Sequence, residues 1–460
     1  MSQNIVIFSD GTGQRGGLHF DERRSNIYKL YRATRAGPDS TVDANAQRAF
    51  YDPGIGSLPG GIDSLGAFIR SAYNVVSQAT GMGITKNIID CYAEIIRLWE
   101  PGDRIFLFGF SRGAYTVRCL AGVLKCCGVP RVDANGVPIR RDPGTAHSFA
   151  RQGVRIFNYT NSRPEHDRTR RQAELLAQRA SLAAQFRERH GCDGTDGGNA
   201  RPYFIGVFDT VASLSNPESV AILGLFGTIA LALISLASTC LPGSYLQWFV
   251  SLFVIGLLGS IAINLLTRLR WAPRLSGIPW WRTIHLTTVR MKMYDTDLDD
   301  AVTFARQAIA IDERRASFQR VPWGQPSEGA RPPVNGVESF VQEWFAGDHS
   351  DIGGSYAEDE SRLSDITLEW MVASAAQAGL LYDPSVLRCY PSPTGMQHDE
   401  ARSSIFKYAG KKTRVPKPDA PLHQSVIERF QASEVLQYDT MAPYRPDGLR
   451  NHDQVKQFYS

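Results

Sequence analysis

The chain has 460 residues, 43% of them hydrophobic and 21% charged, with 50 basic against 46 acidic side chains and a formal net charge of +4. So small an imbalance leaves no electrostatic footprint for nucleic acid, and the length accommodates one large α/β domain with insertions or two to three ordinary ones. Seven cysteines, an odd set without zinc-site or disulfide spacing, point to a reducing compartment.

In chain order, Ile5-Val6-Ile7-Phe8 reads at once as a short buried strand ending in Ser9-Asp10-Gly11-Thr12-Gly13. No charged-then-apolar leader precedes it, so no cleavable signal peptide is expected. Over residues 1–130 short apolar runs alternate with amphipathic stretches, the pattern of strands joined by helices over a mostly parallel sheet. Ile84, Ile88, Tyr92, Ile95 and Trp99 recur at helical spacing and predict a helix over 84–99, stopped by Pro101-Gly102-Asp103. A buried strand is expected over 104–109 and a helix over 114–127. Residues 131–200 are polar and rich in Arg and Gly, which predicts an insertion carrying one exposed helix at about 168–189. Segment 201–216 reads as a core strand, Tyr203 to Phe208, with the loop that follows it.

Two uncharged runs come next, 219–240 and 246–266. Each is long enough to cross a bilayer core of about 30 Å as a helix. The intervening Leu241-Pro242-Gly243-Ser244-Tyr245 is a turn, so 217–275 reads as a transmembrane helical hairpin. Arg268, Arg270, Arg274 and Arg282, interleaved with Trp271, Trp280 and Trp281, suit a cytoplasmic interface. The expectation is a membrane protein whose remaining mass lies on the cytoplasmic side. The alternatives are a pair of buried helices or a hydrophobic lid that dips into the interface.

Residues 276–380 read as the second half of the core: an extended segment over 284–293, a helix over 299–311, a strand over 339–345 and a helix over 363–380. Residues 381–460 read as a loop-rich C-terminal region. The expected fold is one α/β-hydrolase-like domain, a mostly parallel sheet with helices on both faces, interrupted by the polar insertion and the hairpin.

The chemistry centres on Gly109-Phe110-Ser111-Arg112-Gly113. A serine hydroxyl attacks at neutral pH only when a base takes its proton and donors hold the oxyanion. A Gly-x-Ser-x-Gly run between a strand and a helix supplies the required turn, with small residues where neighbours crowd it. Ser111 is therefore the expected nucleophile and the backbone N–H of Arg112 one oxyanion donor. The N–H of Gly11 or Thr12, in the loop after the first strand, is the expected second donor, with Asp10 orienting that loop or approaching the serine.

The base is expected on a loop after a late strand and the acid after an intermediate one. His349 follows Phe340 to Phe345 and is the expected base; His285 lies in a strand-like run and reads as packed, and His423 is a weaker competitor. Asp209, ending the strand at Phe208, is the expected acid. Asp351 is its rival or a shaper of the His349 loop. No metal or organic cofactor is implied.

Several segments together resemble a known family: Phe8-Ser9-Asp10-Gly11-Thr12, Tyr51-Asp52-Pro53-Gly54-Ile55-Gly56, Gly102 through Tyr115, Phe208-Asp209-Thr210-Val211, Ala310-Ile311-Asp312-Glu313-Arg314-Arg315, and Gly347-Asp348-His349-Ser350-Asp351-Ile352-Gly353-Gly354. They resemble the α/β-hydrolase family that includes the catalytic domain of type VI secretion system phospholipase effectors. The resemblance implies lipid ester hydrolysis with Ser111 as nucleophile, His349 as base and an aspartate completing the triad. The substrate and partner would then be a membrane lipid. A membrane-bound esterase or thioesterase for a soluble substrate, and a catalytically silent membrane-associated interaction module, are the alternatives.

Overall fold

The structure is a computed structural model that describes residues 2–11, 23–54, 82–161, 168–211, 217–272, 275, 278–287, 298–316, 318–323, 331–402 and 410–459. Among them, six strands form the central sheet: β1 (Asn4–Ser9), β2 (Gln47–Asp52), β3 (Arg104–Phe110), β4 (Pro202–Phe208), β5 (Phe304–Ala310) and β6 (Phe340–Phe345). They lie in the order β6-β5-β4-β3-β1-β2, and every neighbouring pair is parallel. The fold is thus α/β with a parallel sheet.

Alternation along the strands explains the layers. Ile5, Ile7, Ile105, Leu107, Ile205 and Val207 pack on one face against helices α2 (Met82–Leu98), α3 (Arg112–Cys127) and α4 (Pro143–Phe157). Val6, Phe8, Phe106, Phe108, Phe204 and Phe208 pack on the other, against α1 (Asn26–Thr34) and, further along the chain, the helix Arg362–Gln377. Because both faces are covered, these strands read as continuous apolar runs.

The described residues of 131–200 hold two helices. The expected one is α5 (Arg170–His190), started by a Thr169–Gln172 capping box. The second, α4, begins at the Asp142 cap and buries Ala146, Phe149, Ala150 and Val154 in the core, so this stretch is partly layer rather than appendage. Residues 304–310, inside the run expected to be helical, form β5. Ala, Gln and Arg favour helix locally, but all seven residues are buried between β4 and β6, and strand pairing overrides propensity there. Of the extended segment expected over 284–293, only His285–Leu286 is a strand, paired with Leu269–Arg270; 288–297 lie outside the described residues.

The hydrophobic runs form α6 (Pro217–Cys240) and α7 (Tyr245–Arg268), which pack on each other. Trp248 Nε1 donates to Pro242 O at 2.8 Å across the turn between them. Stretch Tyr245–Ile263 has a mean hydropathy of 2.1, long and apolar enough to cross a membrane. Leu233, Leu236, Ile255, Leu258 and Leu266 are exposed on the pair, as are Trp280 and Trp281 beyond it.

Helix α8 (Arg362–Gln377) forms where a helix was expected over 363–380. Among the described residues of 381–460, helix α9 (Gln424–Gln431), a small hairpin of Val435–Gln437 with Thr440–Ala442, and short 3-10 turns such as Asp447–Leu449 and Lys456–Tyr459 stand among loops. Leu422, Val426, Phe430, Tyr444, Leu449 and Val455 pack against Ile309, Ile311, Trp344 and Ala346 at the ends of β5 and β6.

Candidate active site

Ser111 stands between β3 and α3 with φ 57° and ψ −117°, a left-handed conformation that costs a side-chain-bearing residue about 1–3 kcal/mol. The turn is held by Ser111 N donating to Phe208 O at 3.1 Å. Two glycines make room for it: a Cβ on Gly109 would lie 2.5 Å from Gly113 O, and one on Gly113 would collide with Ser9 O. Since α3 begins at Arg112, that residue's N–H has no acceptor within the helix and carries the positive end of the helix dipole.

In the loop after β1, Gly11 N–H donates to Asp10 Oδ1 at 2.7 Å rather than standing free for an oxyanion. Asp10 is the loop's organiser: its other oxygen accepts from Ser25 Oγ and from Tyr51 Oη. Burial pushes the Asp10 carboxyl up to about 6 against the pull of those bonds. Thr12 lies outside the described residues.

Asp209 and His349 are brought together. His349 Nδ1 lies 2.6 Å from Asp209 Oδ2, and both side chains are buried. The imidazole is stacked on Phe110, the residue before Ser111, with ring centroids 4.7 Å apart, and meets Phe318 edge-on at 5.1 Å. Burial pushes the His349 imidazole below its usual value while Asp209 pulls it up. Burial thus favours the neutral ring, and in the tautomer that donates Nδ1–H to Asp209 the lone pair a base requires is on Nε2.

Asp209 is saturated with donors. Ala310 N reaches Oδ1 at 3.1 Å, and Arg414 grips both oxygens, Nη1 to Oδ1 at 2.5 Å and Nη2 to Oδ2 at 3.1 Å. Burial alone would raise this carboxyl, but the Arg414 guanidinium and the His349 bond hold it well below the usual carboxylate range. Asp351 does not approach the His349 ring; its Oδ1 pairs with His398 Nδ1 at 2.7 Å. Its other role is a capping box: Asp348 Oδ1 accepts from Ser350 N and Asp351 N, while Asp351 Oδ2 accepts from Asp348 N. That box winds His349–Gly353 into the short helical turn that presents the imidazole.

His285 and His423 are engaged elsewhere. His285 bridges the carbonyls of Thr283 and Tyr159, and His423 caps α9 with its ring on Phe345.

Further residues brace the His349 turn. Glu313, paired with Arg315 at 2.6 Å, accepts from His349 N at 3.4 Å, and Arg315 lies over Phe318. Asp312 Oδ2 accepts from Gly347 N at 2.7 Å and from Tyr444 Oη at 2.8 Å. Asp312 and Glu313 had one signal, their place in the Ala310–Arg315 segment of the family resemblance; the strand that precedes them was hidden by the helix expected over 299–311. Arg414, Tyr444 and His398 had none, because only the fold brings the C-terminal region to this edge. Among the described residues no group of three or more His, Cys, Asp or Glu is placed to hold a metal ion.

The family model described as "T6SS, Phospholipase effector Tle1-like, catalytic domain" matches residues 3–238 and 255–374. The uncharacterised protein YEL023C of Saccharomyces cerevisiae is 24% identical over 447 residues, which cover 84% of this chain and 58% of that one. This chain therefore spans less than two thirds of that relative's length. An uncharacterised protein from Pseudomonas aeruginosa, seen in a crystal structure, is 16% identical, with 85% of this chain and 48% of that one covered and a TM-score of 0.36. The Tle1 effector bound to the VgrG spike of the type 6 secretion system is 14% identical, with 85% and 77% covered and a TM-score of 0.32.

Proposed function

The chain belongs to the family of Tle1-like catalytic domains of type VI secretion phospholipase effectors, and we propose that it is a membrane-associated serine hydrolase cleaving carboxylic esters of lipids. The observation that carries the reading is the pairing of His349 with Asp209, stacked on the residue that precedes a strained serine. In the first step Ser111 Oγ attacks the ester carbonyl carbon and its proton passes to His349 Nε2. The oxyanion forms beside the N–H of Arg112, and collapse expels the alcohol, which takes the proton from His349. A water then gives its proton to the same nitrogen and attacks the acyl-enzyme, releasing the fatty acid and restoring the Ser111 hydroxyl. Asp209 stays ionised throughout and holds the imidazolium formed in each half.

The helix pair α6 and α7 is read as the membrane attachment, with the basic and tryptophan-rich flank Arg268 to Arg282 at the cytoplasmic interface. Its exposed leucines and isoleucines support this, since an apolar surface of that kind needs lipid or protein to cover it. An enzyme for bilayer lipids gains from being held beside its substrate.

The test is mass spectrometry of phospholipid vesicles incubated with the intact chain and with Ser111→Ala, the protein first recovered from the membrane fraction. Fatty acid and lysophospholipid should form with the first and not the second, with a rate loss of about 10⁴-fold or more. Turnover that survives in Ser111→Ala would refute the nucleophile. Cleavage of short soluble esters or thioesters but of no lipid would turn the reading to a soluble substrate. Failure of a fluorophosphonate probe to label Ser111, with no turnover, would leave a silent interaction module. Recovery of the intact chain in the soluble fraction without detergent would remove the membrane attachment.

A further inference from the structure

We propose that Arg414 is a positioning residue of the acid–base pair, fixing the plane of the Asp209 carboxylate so that one oxygen lies in line with His349 Nδ1. This rests on the reading of Ser111, His349 and Asp209 as a triad. It goes beyond the family match, because Arg414 lies outside the matched residues.

The geometry is that of a fork. Nη1 takes Asp209 Oδ1 and Nη2 takes Oδ2, and the same two nitrogens also donate to Ala310 O at 3.1 Å and Phe318 O at 2.9 Å. A planar guanidinium bound to two backbone carbonyls of the body cannot swing, so neither can the carboxylate it holds. Ala310 ends β5 and Phe318 touches the His349 ring, so a single side chain ties the acid, the strand beside it and the ring that flanks the base. The guanidinium is itself nearly buried. A lysine here would keep the charge but lose the fork.

The charge has a second effect. Asp209 faces His349 on one side and Arg414 on the other, so the cation weakens the pull of the carboxylate on the imidazole's proton. Among the described residues, Glu313 and Arg315 after β5 also act on the ring, Arg320 acts on Asp209 and Arg414, and Asp348 and Asp351 lie in the ring's own turn but are bonded to each other and, for Asp351, to His398. Removing Arg414 leaves these in place and lets Asp209 hold a proton on His349 to higher pH.

The experiment measures kcat and KM against pH for a p-nitrophenyl ester, using the full chain in detergent, for wild type, Arg414→Gln, Arg414→Lys and Ser111→Ala, with thermal melts of each. Arg414→Gln should lower kcat about 10- to 100-fold with KM little changed, and move the acid limb of the profile up by about half a pH unit. Arg414→Lys should keep the limb near the wild-type position while kcat stays low. A folded Arg414→Gln with the wild-type limb and kcat overturns the proposal. If that variant does not fold, wild-type kcat in Arg414→Lys overturns it and a reduced kcat with an unmoved limb and KM upholds it. Turnover surviving in Ser111→Ala would instead refute the triad reading beneath it, leaving the two failures distinguishable.

Discussion

The two halves of the proposed active site, nucleophile and acid–base, are built by opposite means. The nucleophile half is one contiguous stretch, β3, the turn at Ser111 and α3, and its geometry is enforced by backbone: a positive φ, a helix start and two glycines against which nothing larger fits. The acid–base half is collected from the ends of β4 and β5, the turn at His349 and three points in the C-terminal region, and it is enforced by side-chain hydrogen bonds and charge. Local construction lets the reactive residue be changed without disturbing the fold. Distributed construction makes the support of the base part of the fold's own stability.

The sharpest break between the halves is expected at Asp209. Asp209→Asn removes the acceptor that fixes the His349 tautomer and should cost about 10⁴-fold in kcat. It also leaves the Arg414 guanidinium buried against a neutral amide, for about 3–5 kcal/mol of stability. The sign with pH follows from the depressed carboxyl: wild type gains from Asp209 above the unfolded value near 4 and loses that gain as pH falls below it. The stability cost of the variant should therefore be largest at neutral pH and shrink below about pH 4. Urea titrations at pH 7 and pH 3 check it, and an Asp209→Asn protein that is inactive yet as stable as wild type at pH 7 would break the comparison.

The same division governs what could be read from the chain beforehand. Ser111 stands out because strand, turn and helix occur together within 25 residues, Asp209 because it directly follows an apolar strand, and His349 because it lies in the loop just after one. The parallel sheet is legible from continuous apolar runs such as Ile5 to Phe8. Where the signal is local but ambiguous, as in Phe304 to Ala310, helix-favouring residues hide a central strand whose identity depends on its neighbours. The role of Arg414 is invisible for a different reason. It sits in a basic, loop-like stretch more than 200 positions from its partner, and nothing in its own surroundings distinguishes it from a solvated arginine.

A milder probe of the distributed half is Tyr444→Phe. Tyr444 and Gly347 N–H both donate to Asp312, whose carboxyl burial pushes up to about 6 against those two bonds. The folded state thus holds a proton that the unfolded chain has released, and stability falls as pH climbs from about 4 to about 6. Without the tyrosine hydroxyl the ionised carboxylate loses one donor, so the loss should be about 1.5–3 kcal/mol at pH 8 and nearer 1 below pH 5. Activity should fall only a few-fold, through a looser turn at Gly347. A loss of stability independent of pH would detach Asp312 from the base's support.

The smallest effect has the opposite sign and belongs to the contiguous half. Ser111 caps no helix N–H with its side chain and holds φ 57°, ψ −117°, where a Cβ is strained and glycine is not. Ser111→Gly should therefore fold more stably than Ser111→Ala by about 1 kcal/mol, since both lack the hydroxyl and only the alanine keeps the strained Cβ. Part of the relief is offset by the greater entropy of glycine in the unfolded chain, which is why the expected gain is below the full strain. Both variants should be inactive and should label with no fluorophosphonate. Paired melts in one detergent measure the difference, and in a chain of this size it amounts to about 1–2 °C. Equal melting temperatures would mean that the turn at Ser111 stores no strain, and the nucleophile half would then have to be held, like the other, by contacts from a distance.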